Sequence, residues 1–109
     1  MADIKESDWK IFKKIKEEAI DEYCQICLAE YSEIIDDPSK GFHEKYLYLY
    51  RLVKNNDKKM ELIFGDNTSR SKAFLQLLAI RGEGLGNNEL ISHLSEEFKE
   101  KTNPERVNW

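Results

Sequence analysis

The sequence predicts an all-α fold, a compact bundle of four to five helices, on three observations. Apolar residues recur at spacings of three and four over long stretches, the period of a helix with one buried face. Two Pro and five Gly are too few turn residues for a many-stranded β fold, and 40% hydrophobic residues are too many for a disordered chain. A length of 109 residues suits a single core. The reading is one helical domain over residues 1–109, with 1–7 and 102–109 as loose termini.

The first helix is predicted from Trp9 to Ile35, with Ser7 or Asp8 as its cap. Phe12, Ile15, Ala19, Tyr23 and Ile26 form its apolar stripe. A second strip of Ile20, Cys24, Cys27, Leu28, Tyr31 and Ile35 widens the C-terminal half, which is expected to touch two neighbouring helices. Asp37-Pro38 ends the helix, because proline pushes the residue before it out of the α region. At 1.5 Å per residue the span is about 40 Å, long for a chain of this size, so one end is expected to protrude or to need a partner.

Ser39 is the expected cap of a second helix over 40–54, with Phe42, Tyr46, Leu49 and Val53 on its packed face, Leu47 and Tyr50 extending it, and Tyr48 opposite. After Asn55-Asn56 a short separate helix is expected over 57–64, closed by Gly65 and a turn of Asp66 to Ser69. The stretch 70–81 carries Ala73, Phe74, Leu75, Leu77, Leu78, Ala79 and Ile80 around nearly its whole circumference, as expected of the buried central helix. The glycines at 82, 84 and 86 mark a C-cap and break. Asn87 or Asn88 then caps a last helix to about Lys101, with Leu90, Ile91, Leu94 and Phe98 inward.

Charge alternates along the chain. Residues 17–37 hold eight acids and no Lys or Arg, whereas 38–72 hold eight bases and four acids. Helix one carries Lys10, Lys13, Lys14 and Lys16 near its start and Glu30, Glu33, Asp36 and Asp37 at its end, against its macrodipole. Two arrangements would repay this. Helix two can fold back so that Lys45, Lys54, Lys58 and Lys59 face the acids of helix one, or two copies of helix one can pair antiparallel in a two-fold dimer.

The net charge of −4 disfavours a nucleic-acid-binding surface. No apolar run approaches the ~20 residues that span a bilayer, and the first residues are polar, so no membrane partner is expected and the protein is placed in the cytoplasm.

Few residues suggest chemistry. Cys24 and Cys27 form a CxxC, which can bind metal or exchange electrons, but His43 and His93 stand far apart and no second ligand pair accompanies them. Redox CxxC pairs sit at a helix start, where free amides lower the thiol pKa, and these sit mid-helix, where packing is the expected role. Gly82, Gly84 and Gly86 follow no strand and lack the GK[ST] of a phosphate loop. Glu17, Glu18, Asp21 and Glu22 lack the Glu-x-x-His pairs of a di-metal bundle. Ser69, Ser71, Arg70, Lys72 and Arg81 read as a capped turn with exposed charge.

No cofactor, small-molecule ligand or catalytic set is implied. The leading reading is a non-catalytic protein-interaction or regulatory module that binds a protein partner or itself, using Trp9, Lys13, Lys16, Tyr48 and Leu52. A metal or redox protein built on Cys24 and Cys27, and a nucleic-acid-associated regulator using the basic block 38–72, are the alternatives.

Overall fold

The computed structural model describes residues 4–65 and 68–106, and among these there is helix and no strand. Five helices follow in order: α1 Glu6–Ile35, α2 Phe42–Phe64, α3 Ala73–Gly82, α4 Asn88–Ser92 and α5 Glu96–Lys101. Short 3-10 turns at Arg70–Lys72 and Pro104–Arg106 flank the last three. The all-α bundle with a long N-terminal helix is the fold. No helix among the described residues is long and apolar enough to cross a membrane.

α1 is 30 residues long, about 45 Å at the rise of an α-helix, and sets the 53 Å long axis of a molecule 26 and 24 Å across. The radius of gyration, 16.9 Å, exceeds the ~13 Å of a compact chain this long. The excess arises because only the first part of α1 lies in a core. Its Phe12, Ile15 and Ala19 pack with Ala73, Leu77 and Ile80 of α3 and with Leu85, Ile91, Leu94 and Phe98 further along. Together these form the body of the molecule.

α3 is the central helix, in contact with α1, α2 and α5. It is not buried all round: Phe74 and Leu75 reach the surface, while Gln76 is buried and accepts a hydrogen bond from Lys16 Nζ at 3.2 Å. Its end is closed by a Schellman motif. Leu85 N–H donates to the Ile80 carbonyl and Gly84 N–H to that of Arg81, with Gly84 at φ 75°, where a side chain would be strained. Gly86, at φ 104°, lies against Ile15, Ile80 and Ile91, where the backbone crosses the core.

The single last helix expected over 88–101 is two. Asn87 caps α4 as predicted, accepting from the amides of Glu89 and Leu90. The chain then breaks at Ser95, which caps α5 through Phe98 N–H. Ser95 is fixed from elsewhere: its N–H donates to Asp8 Oδ1 at 2.8 Å and its hydroxyl to Asp8 Oδ2 at 2.6 Å. Asp8 therefore does not cap α1. The helix starts at Glu6, and Asp8 is buried inside it as an acceptor for a residue 87 positions away. Of the termini expected to be loose, residues 1–3 and 107–109 lie outside the described residues, as do Asp66 and Asn67 of the expected turn. Glu6 and Ser7 are helical, and Thr102 is fully buried, accepting from Arg81 Nη1 and donating to the Phe98 carbonyl.

α2 also departs from expectation, running unbroken through Asn55 and Asn56. Ser39 does not cap it: its N–H and hydroxyl donate to Asp37 Oδ1 in the connection between helices, and these bonds hold the Asp37 carboxyl below its usual pKa. Gly41 is the N-cap, and its amide donates to Glu44 Oε1.

Replacing Asp8 with Ala leaves the half-buried Ser95 groups without their acceptor and is expected to cost about 1–3 kcal/mol. Urea denaturation at neutral pH measures it, and a transition midpoint equal to that of the wild type contradicts the assigned role.

Candidate interaction surface

From Leu28 to Leu62 no residue is buried. This stretch holds the second part of α1, the connection and most of α2, which run antiparallel and project from the body as a two-helix arm. The arm is closed at its tip by Lys45 Nζ, which donates to the Ile35 carbonyl at 2.6 Å. At its base the Tyr23 ring meets Phe64 edge-on, with centroids 6.1 Å apart. Between the two, Asn56 Nδ2 donates to the Tyr31 hydroxyl at 2.7 Å, and Asn56 Oδ1 accepts from the Tyr23 hydroxyl at 3.5 Å. One amide thus bridges two tyrosines of α1. Burial, reinforced by Cys27 and Tyr31, raises the Tyr23 phenol above its usual pKa.

These contacts define the packed strip of α2: Lys45, Leu49, Leu52, Asn56, Met60 and Ile63, each at least half-buried or turned into the seam. It is not the face expected from the aromatic residues. Phe42 is 89% exposed and Tyr46 69%, with Tyr50 and Val53 also open. At ~100° per residue this second strip lies about 80–90° around α2 from the packed one, and Leu28 and Ile35, both more than half exposed, lie about as far and in the same sense around α1. In antiparallel helices the same sense of rotation carries both strips to one side. The arm therefore presents one continuous apolar face of Leu28, Ile35, Phe42, Tyr46, Tyr50 and Val53. Phe12, Ile15 and Ala19 turn to the opposite side of α1, so the body leaves this face open.

Lysines lie over the exposed rings. Lys45 Nζ is 5.8 Å from the Phe42 centroid, Lys54 Nζ 5.4 Å from Tyr50, and Lys40 Nζ 5.5 Å from Tyr48. Each ammonium lies within cation–π reach of its ring.

The residues expected to form an interaction surface are dispersed. Tyr48 is exposed on the opposite side of the arm, and Leu52 is half-buried in the seam. Trp9 is buried against Phe12, beneath Lys13 Nζ at 5.3 Å and the Arg70 guanidinium at 5.0 Å. Lys13 is exposed there, and Arg70 also pairs with Glu6 at 2.8 Å. Lys16 is buried among the body's residues, and burial lowers its pKa. Its long stem let the sequence read it as surface charge.

Cys27 packs in the seam, Cys24 is half-exposed beside it, and both thiols are free. Among the described residues no group of three or more His, Cys, Asp or Glu is placed to hold a metal. A cleft of about 440 Å³ lies between the start of α1, Arg70 and α5, lined by Lys5, Asp8, Phe74, Phe98 and Lys101. Three of its polar groups are engaged within the fold: Asp8 by Ser95, Arg70 by Glu6, and Lys101 by Glu97 at 3.1 Å.

No protein-family model matches the chain, and no curated protein or solved structure matches it.

Replacing Asn56 with Ala removes both bridges and is expected to cost about 1–2 kcal/mol, felt mainly in the arm. Amide exchange should quicken across 28–62 more than in α3, and a uniform acceleration of both regions contradicts the arm as a separately held unit.

Proposed function

We propose that the protein is a non-catalytic protein-interaction module whose α1–α2 arm is its binding element. The observation that carries this reading is the continuous apolar face of Leu28, Ile35, Phe42, Tyr46, Tyr50 and Val53 on a projecting pair of helices. Exposed single apolar residues are ordinary, but a contiguous patch rich in aromatics, rimmed by charge and clear of the body, is the composition of a protein-binding surface. His43 and His93 are both exposed and on separate parts of the chain, which supports a binding over a chemical role. The free thiols of Cys24 and Cys27 support a reducing compartment, the cytoplasm.

The test is capture by the immobilised full chain from a cell extract, with Phe42→Glu/Tyr46→Glu beside a body-surface control, Leu75→Glu. Because both arm side chains are exposed, the double variant should keep wild-type stability to within about 0.5 kcal/mol. It should lose bound species that the wild type and the control retain. An identical set of bound species on all three contradicts the proposal.

A further inference from the structure

Resting on that reading of the arm, we infer that what covers the apolar face is the same face of a second copy, the two arms packing into a four-helix bundle about a two-fold axis.

Area and the placement of the body carry this. Aromatic side chains bury ~150–250 Å² each, so Phe42, Tyr46 and Tyr50 at their present exposures, with Leu28, Ile35 and Val53, offer on the order of 600 Å² per copy. That approaches the ~800 Å² per partner of a stable interface and lies at the upper end of what a monomer leaves open.

The facing of opposite charge blocks expected from the sequence does not take the form of ion pairs: among the described residues none of the eight acids of 17–37 forms one, although, beside the Ser39 hydrogen bonds, Lys40 and Lys45 help hold the Asp37 carboxyl below its usual pKa. Of the α2 cations only Lys59 forms an ion pair, and it turns to Glu83 of the body at 3.2 Å. Lys40, Lys45 and Lys54 lie over rings instead.

Phe12, Ile15 and Ala19 hold the body on the side of α1 away from this face, so two copies can meet face to face with their bodies outside the contact.

Sedimentation equilibrium of the purified full chain over a wide dilution series tests the pairing. The expected mass is twice the 12.9 kDa of one chain at the concentrated end, falling to one for Phe42→Glu/Tyr46→Glu with unchanged helical circular dichroism. A wild-type chain that stays monomeric throughout overturns the inference, while the capture experiment alone decides whether the arm binds something else. A dimer that survives the double variant also overturns it, since another surface then holds the copies together.

Discussion

Everything in this molecule depends on α1 being one unbroken helix that belongs to two structures at once. Its first part supplies Phe12, Ile15 and Ala19 to the core beneath α3, and its second part supplies Tyr23, Cys27 and Tyr31 to the seam with α2. The body is assembled around it by contacts distant in sequence, of which Asp8 to Ser95 is the longest and Arg81 to Thr102 closes the far side. The arm has no such support. Its two helices are held by the half-buried Leu49, Leu52 and Met60 along the seam, with a carbonyl contact at the tip, the Asn56 bridge in the middle and an aromatic edge at the base.

The apparent conflict between the charges of α1 and its dipole is resolved at both ends. Because the helix begins at Glu6 and not Trp9, its first turn carries Glu6 and Asp8 ahead of the lysines, as the positive end of the dipole prefers. At the other end no base lies in the last turn of α1 itself, and the ammonium of Lys45 from α2 meets the Ile35 carbonyl. The connection is short and fixed by Ser39 on Asp37, which brings Lys45 back to that carbonyl. What is left over is the series of acids from Glu17 to Asp37, none of which forms an ion pair among the described residues.

The helices themselves were legible from periodicity, since spacings of three and four need no knowledge of neighbours. The end of α1 at Pro38, the glycine closure after α3 and the Asn87 cap are local effects and were legible for the same reason. What could not be read was which of two adjacent strips of α2 packs inward. The aromatic strip through Phe42 and Tyr46 is the more apolar, yet the strip through Lys45, Leu49, Leu52 and Asn56 meets α1, because Asn56 finds two tyrosines there and Lys45 finds a carbonyl. Such partners lie tens of residues away. The same distance hid the burial of Trp9 and Lys16 and the break at Ser95. A hint was present: α1 and α2 together carry more apolar surface than two helices can cover on each other.

That surplus is the centre of the account, in which an arm too weakly held to be rigid alone is completed by its own copy. Hydrogen exchange of backbone amides at low and high protein concentration tests it most directly. Amides across 28–62 are expected to exchange faster than those of α3 in dilute solution and to become protected as the concentration rises, while α3 stays unchanged. Protection in the arm that is independent of concentration would contradict it.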